Sequence, residues 1–389
     1  MTSKTRLSVL ILSTPLLAFV VIGGLMGQAS ASNRDQVFQH LRVFEDVVSL
    51  VLNNYVEEVK VDRAMEGALR GLTEGLDPDS AYLNAQQTRL VESGTPLPEG
   101  RVGIELTRQF YLRVIAARDG SPAAKAGLQT GDYVRGIDGR STREMSVFEG
   151  MRLLHGAPGS AVTLTIIRGN AAEPHEVRLV REKATGPRVT GRMLDGGIGY
   201  VRIAAFGDGS VPELRKQVAS LAASGATSLV VDIRSTAEGA YENGIGAARL
   251  FVQEGTLTQR AGRDAAGAPE TVAAQAGDGE FRMPLLLLVT AGTSGPAEVF
   301  AAAMHGNQRA EIVGEHTIGR AGIQRLVKLP ENRALWLTHA RYLRPDGEPI
   351  HGKGLAPDIA ASSLDVEFGA AAATRDPILD AALERAKTR

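Results

Sequence analysis

Ser294 and His316 are residues whose side chains could support nucleophilic catalysis. A serine hydroxyl attacks a carbonyl carbon when a neighbouring base removes its proton. Ser294 lies in the Gly292–Pro296 turn ahead of a predicted helix, and His316 follows in a later loop. Each residue also has an ordinary role open to it, because a turn serine can cap the helix and a histidine can simply sit in a loop.

A second candidate site is the run from Val102 to Glu105. A glycine-containing loop that opens a strand exposes backbone N–H groups, which can hold a chain-terminal carboxylate while the strand edge accepts the peptide. A glycine can also be present only because a tight turn requires it, and this role is favoured for Gly120, Gly131 and Gly139. The ligand role is favoured for Gly103. The predicted peptide-binding residues are Val102, Gly103, Ile104 and Glu105.

Several classes of function find no support in the sequence. The histidines show no metal-ligand spacing and no phosphate-binding loop occurs, so we expect neither a metal nor a cofactor. The net charge of −1 gives no indication of nucleic-acid binding. The chain has no cysteine, which excludes disulfides and lipid attachment through an N-terminal cysteine.

The N-terminus predicts export. Lys4 and Arg6 precede the apolar run Leu7–Met26, and Ala29–Ala31 offers a small-residue cleavage site. Residues 1–32 are therefore interpreted as a signal peptide or an N-terminal membrane anchor, and both alternatives stay open. The expected location is the periplasm or the outer face of the cytoplasmic membrane, with membrane contact only through this segment.

The elements that must position these residues form a multi-domain α/β protein. Residues 33–95 show helical periodicity, and their apolar stripe predicts either packing on the same chain or a homodimer. Residues 98–183 are strand-rich, as in a small β-rich domain. Residues 184–365 alternate strands with helices, which predicts a sheet covered by helices. Residues 366–389 form a C-terminal tail.

The strand-rich module resembles a PDZ domain of the bacterial protease type. The resemblance rests on the Gly120–Leu128 run, which reads GSPAAKAGL, and on Gly131-Asp132 after it. It implies a peptide-binding groove for polypeptide C-termini.

The α/β region resembles the core of the C-terminal processing peptidases, also called tail-specific proteases. The stretches that carry the resemblance are Gly199–Ile203, Val231–Arg234, Val313–Gly319, Thr338–Tyr342 and Gly352–Ile359. With the helical lead-in and the PDZ-like module, the resemblance covers residues 36–362 in the family's order. It implies a crotonase-like or ClpP-like core that acts on polypeptide tails or unfolded protein.

The resemblance also places the catalytic dyad, and both positions are altered. The family uses a serine nucleophile and a lysine base, whereas this chain has Gly295 and Arg320 there, at the family's own separation. Glycine has no side chain to attack a carbonyl. Burial can lower the pKa of a lysine until it serves as a base, but a guanidinium stays protonated.

The remaining active-site positions are the oxyanion site and one retained glutamine. By the resemblance, Glu238 and Pro296 fall at the oxyanion site, and Gln324 matches the orienting glutamine. Glu238 replaces a glycine, so we expect backbone strain and a negative charge near a developing oxyanion.

Taken together, the residues predict an exported PDZ-containing homologue that binds polypeptide C-termini without hydrolysing them. The alternative is an active serine-type endopeptidase with a rearranged site in which Ser294 is the displaced nucleophile. The ordinary roles of Ser294 and His316 are favoured, because a nucleophile moved by one residue on a tight turn would need rebuilt geometry.

Overall fold

A computed structural model describes residues 38–169, 173–186, 188–263, 269–364, 366–368 and 375–388. The chain divides into two compact units, residues 1–69 and 70–389. The segment interpreted as signal peptide or anchor lies outside the described residues. Across the part that is described, no helix combines the length and apolar character needed to cross a membrane.

The first unit contains helix α1, residues 38–54, and the start of α2, Val61–Glu74. Helical spacing places the apolar residues of α1 at regular intervals, as the sequence predicts. These side chains are exposed on the single chain: Phe38, Leu41, Phe44, Val47 and Val51.

The second unit begins with a short segment that is built into the α/β core. Strand β1, Ala81–Leu83, pairs antiparallel with β18, Ala334–Leu343. Helix α3, Ala85–Glu92, follows and is capped by the Asn84 side chain. This pairing fixes the preceding Asp77–Ser80 loop against the core.

The β-rich module comes next in the chain. Its strands are β2 Gly100–Arg101, β3 Ile104–Gln109, β4 Tyr111–Ala117, β5 Tyr133–Ile137, β6 Arg140–Ser141, β7 Ala161–Ile167, β8 His175–Val180 and β9 Glu182–Lys183. Its helices are α4, Pro122–Lys125, and α5, Val147–Leu154. The main sheet has the order β3-β4-β5-β7-β8, with β6 on β5, while β2 pairs with β9.

The alternation of side chains explains the core of this module. In β7, Val162, Leu164 and Ile166 are buried while their neighbours are partly exposed, the period-2 pattern of a half-buried strand. Strand β3 lies at the edge of the sheet with α5 beside it. The predicted groove therefore lies between an available strand edge and a helix.

The α/β core has a six-stranded sheet in the order β10-β11-β12-β15-β16-β19. These strands are β10 Val189–Leu194, β11 Ile198–Ile203, β12 Ser228–Asp232, β15 Leu285–Val289, β16 Glu311–Gly314 and β19 Ile359–Ala360. All pair in parallel except β10, which is antiparallel to β11. A second sheet has the order β1-β18-β13-β14, with β17 on β18; its other strands are β13 Thr256–Gly262, β14 Glu270–Ala273 and β17 Gly322–Lys328.

Helices cover both faces of the parallel sheet. Helices α6 Ser210–Ala223, α7 Tyr241–Arg249 and α8 Pro296–Gly306 pack on one face, and α9 Pro377–Lys387 packs on the other. Strand β15 is a run of four leucines and a valine, all buried, as expected for a strand covered on both faces. The carboxyl ends of β12 and β15 meet at one edge of the sheet, where α/β proteins commonly bind ligands.

Candidate active site

The turn between β15 and α8 holds the position where a nucleophile is expected. It is anchored on the loop after β12: the Thr293 hydroxyl donates to the carbonyl of Ile233, and the Ser294 N–H donates to the carbonyl of Thr236. Gly295 then precedes the helix with φ 60° and ψ −120°. This conformation strains a residue with a side chain by about 1–3 kcal/mol, whereas glycine adopts it freely.

The space beside Gly295 is open on its side-chain face. A Cβ atom placed there would lie 3.7 Å from the Arg320 carbonyl oxygen, 3.8 Å from that of Ala237 and 4.0 Å from the Tyr241 hydroxyl. These are ordinary van der Waals distances. A serine would fit at this position, but the chain supplies no nucleophilic atom there.

Glu298 joins this turn to the loop that contains Arg320. Its buried carboxylate accepts the N–H groups of Gly295, Gly319 and Arg320 and the hydroxyl of Thr317. Burial raises the pKa of Glu298, and these hydrogen bonds oppose the rise. The structure therefore brings positions 295 and 320 together.

The Arg320 side chain is occupied by two carboxylates. Its Nε lies 2.8 Å from Asp79 Oδ1, and its Nη1 lies 3.6 Å from Glu105 Oε2. Burial alone would lower the pKa of Arg320, but the two carboxylates outweigh burial and the pKa is raised. Arg320 therefore remains a cation held in ion pairs and offers no base.

The oxyanion positions differ from the sequence-based expectation in one respect. The predicted backbone strain at Glu238 is wrong, because Glu238 keeps a negative φ and Gly239 carries the positive value of 132°. A Cβ on Gly239 would lie 2.2 Å from the Phe206 carbonyl oxygen, so glycine is required at that neighbouring position. Pro296, the first residue of α8, has no backbone N–H to donate to an oxyanion.

The Glu238 carboxylate is bound by arginines from the β-rich module. Its Oε1 lies 2.8 Å from Arg101 Nη2, and its Oε2 lies 3.9 Å from Arg118 Nε. The Glu238 carboxylate is therefore held in ion pairs whose arginines come from a distant part of the sequence.

Gln324 and the two alternative residues make separate contacts. The Gln324 amide donates to Thr338 Oγ1 at 3.1 Å. His316 Nδ1 lies 2.9 Å from the Thr317 carbonyl oxygen. Both Ser294 and His316 fall within the described residues, and no hydrogen bond joins them there. Gly295 rather than Ser294 is the N-cap of α8.

The predicted peptide-binding residues line a small cavity at the edge of the β-rich module. Gly103 has φ 76°, and a Cβ there would lie 2.3 Å from the Ser121 Cβ, so close packing alone requires glycine. Val102 and Ile104 are buried beside it, and Glu105 points to Arg320. The cavity is partly open to solvent and is also lined by Met151 and Leu154.

The sequence analysis did not identify the residues that neutralise Arg320 and Glu238. Asp79 comes from the segment before the β-rich module, and Arg101 and Arg118 come from that module. No local motif marks them, because each meets its partner only through tertiary packing.

Comparisons with known proteins agree with this architecture. The chain matches the sequence models of Peptidase family S41, over residues 197–361, and of the PDZ domain, over residues 113–168. It is 30% identical to the Carboxy-terminal-processing protease of Bartonella bacilliformis, over 86% of this chain and 78% of the relative. It is 31% identical to the Carboxyl-terminal-processing protease of Synechocystis, over 90% of this chain and 82% of the relative.

A solved structure shows the same likeness. The photosystem II D1 C-terminal processing protease matches with a TM-score of 0.68 and 29% identity, over 80% of this chain and 85% of that one. The predicted α/β fold with a PDZ module and a protease core is confirmed. The chain therefore belongs to the carboxy-terminal processing proteases, with a PDZ domain joined to a core of peptidase family S41.

Proposed function

We propose that this chain is an exported member of the family that binds polypeptide C-termini through its PDZ domain and does not hydrolyse them. The observation that carries the proposal is the state of the dyad positions. Position 295 has the backbone of a tight nucleophile turn but no side chain, and Arg320 is fixed by Asp79 and Glu105.

The magnitude of the expected losses in turnover supports a protein that does not hydrolyse peptides. Removing the nucleophile of a serine protease costs about a millionfold in turnover, and removing its base costs a similar factor. Arg320 cannot accept a proton under ordinary conditions. Pro296 additionally withdraws one backbone donor from the oxyanion position.

Peptide binding is supported by what the chain retains. The PDZ domain keeps an edge strand, β3, beside helix α5, and the Val102–Glu105 run lies where they meet. An extended peptide can add to such an edge while backbone N–H groups hold its carboxylate. The apolar residues Met151 and Leu154 line the same cavity and would contact an apolar terminal side chain.

The test compares one fluorescein-labelled decapeptide, ending in valine, as a free acid and as its C-terminal amide. Hydrogen bonds to a charged group contribute about 1.5–3 kcal/mol, so amidation should weaken binding at least about tenfold. Mass spectrometry after prolonged incubation should find the acid intact. Equal affinities for acid and amide across a library of apolar C-termini would reject tail binding. Cleaved peptide would favour the alternative, an active serine-type endopeptidase with a rearranged site.

Export is the second part of the proposal, and the basic, apolar and small-residue order of the first 32 residues supports it. Residues 1–40 fused to a reporter that functions only outside the cytoplasm should give an active reporter. The same fusion with Lys4 and Arg6 intact but charged residues placed within Leu7–Met26 should be inactive. An inactive wild-type fusion present at normal amounts would contradict export.

A homodimer through the N-terminal helices is also proposed. Exposed apolar side chains repeat along one helix, α1, including Phe44, Val47 and Val51. A second copy could cover this stripe, since large exposed apolar patches commonly mark interaction sites. Light scattering of the full chain should give twice the monomer mass, and Val47→Glu with Val51→Glu should reduce it to that of a monomer. A monomeric wild type would refute the dimer.

A further inference from the structure

The two altered active-site residues that carry charge both contact the PDZ domain. Arg320 meets Glu105 at the start of β3. Glu238 meets Arg101, which precedes the Val102–Glu105 run, and Arg118, whose N–H donates to the Gly103 carbonyl. The charges are complementary at each contact. These ion pairs join the protease core to the rim of the peptide groove.

The Glu238 carboxylate occupies the place where a peptide carboxylate would be attracted. Glu238, Arg101 and Arg118 line the same small cavity as Val102 and Gly103. Their side chains are largely sheltered, with exposed fractions of 29% for Arg101, 15% for Arg118 and 22% for Glu238. A sheltered arginine pair is a strong site for a carboxylate because the guanidinium donates along fixed directions.

The hydrogen bonding of Arg118 independently indicates that this site can bind an additional oxygen atom. Its Nε is buried, and among the described residues it has no hydrogen-bond partner. The nearest Glu238 oxygen, at 3.9 Å, is too far for a hydrogen bond. Leaving a buried charged donor unsatisfied is costly, so an oxygen placed closer to this atom would be stabilised.

Glu238 and the residues of the predicted peptide groove line one and the same cavity. A peptide carboxylate placed between Arg101 and Arg118 would lie where the Glu238 carboxylate now lies. Met151 and Leu154, which would contact an apolar terminal side chain, line the same cavity. A peptide carboxylate bound by both arginines would therefore displace the Glu238 carboxylate.

We propose that Glu238 is an internal ligand of the PDZ carboxylate site, which competes with peptide C-termini for Arg101 and Arg118. The inference rests on the proposed peptide-binding function and describes how that binding is regulated. The ligand class is a polypeptide with a free α-carboxylate and an apolar last side chain. Its binding opens the contact between the PDZ domain and the core.

The test measures binding of the decapeptide acid and amide to the full-length wild type, Glu238→Gln and Glu238→Gly. Loss of the internal carboxylate should tighten binding of the acid about tenfold or more and leave binding of the amide nearly unchanged. Glu280→Gln is the matched control, because Glu280 pairs with Arg215 at 2.9 Å on the core surface. This control should leave both affinities unchanged.

A second readout does not depend on the peptide. Amide hydrogen exchange of residues 102–105 should become about tenfold faster in Glu238→Gln and stay unchanged in Glu280→Gln. If the acid binds better than the amide but neither Glu238 variant tightens binding, the internal ligand is refuted and the proposed function stands. If no peptide binds, the proposed function fails. The contact of Glu238 with Arg101 and Arg118 is then tested by hydrogen exchange alone. Faster exchange in Glu238→Gln supports the contact, and unchanged exchange overturns it.

Discussion

The carboxyl group of Glu105 provides a sharp test of the contact between the PDZ domain and the core. Burial raises the pKa of Glu105 from 4.5 to about 7, and Arg320 opposes this rise. Glu238 and Asp79 raise it further and Arg101 lowers it. The folded protein therefore favours the protonated form of Glu105 relative to the unfolded chain.

The sign and size of the effect on stability follow from this shift. A group with a raised pKa in the folded state contributes stability that is complete below pH 4.5 and is lost as pH rises through about 7. A rise of this size corresponds to roughly 3 kcal/mol, of which about 2 kcal/mol falls between pH 5.5 and 8.5. The Glu105 side chain is 27% exposed, so this value is an upper estimate.

The perturbation is Glu105→Gln, which keeps the shape and removes the titrating proton. Thermal unfolding of wild type and variant is compared at intervals from pH 5.5 to 8.5. The wild type should lose several degrees relative to the variant across this range, since about 2 kcal/mol corresponds to such a shift in a domain of this size. Glu176→Gln, at an exposed position in β8, is the control and should follow the wild type. Parallel curves for Glu105→Gln and wild type would refute the reasoning.

Two further predictions concern glycines. Gly103→Ala should lower the free energy of unfolding by about 2–4 kcal/mol, because its Cβ would overlap Ser121 in a left-handed conformation. Gly120 has φ 69° but open space around it, so Gly120→Ala should lower the free energy of unfolding by only about 1–2 kcal/mol in the same denaturation assay. Equal costs would show that close packing at Ser121 is unimportant. Gly295→Ser and Arg320→Lys should each leave fluorophosphonate labelling absent, whereas the double variant should become measurable, because a nucleophile and its base act as a unit. Labelling of either single variant at the level of the double would contradict that coupling.

The pairing of positions 295 and 320 could be predicted from the sequence, and the environment of Arg320 could not. The spacing of the two motifs matched the family, and Glu298 accepts hydrogen bonds from the backbone N–H groups of both segments. Asp79 reaches Arg320 only because β1 joins the second sheet through β18. Such long-range pairing leaves no local pattern in the sequence.

The oxyanion edge shows a different limit of sequence reasoning. The family pattern placed a glycine at position 238, and strain was expected because its positive φ was assigned to that residue. The structure assigns the positive φ to Gly239, whose Cβ would overlap Phe206, and leaves Glu238 in an ordinary conformation. The change in charge caused by a substitution can therefore be predicted from the sequence. Its effect on backbone conformation depends on which residue of the turn carries the positive φ.

The central claim is tested most directly by hydrolysis with the unmodified protein. Purified full-length chain is incubated with an unfolded casein substrate and, separately, with a serine-reactive fluorophosphonate, alongside Ser294→Ala. With glycine at position 295 and Arg320 held in ion pairs, we predict neither cleavage nor labelling in either protein. Robust cleavage by the wild type that disappears in Ser294→Ala would contradict the account and identify Ser294 as a nucleophile displaced by one residue.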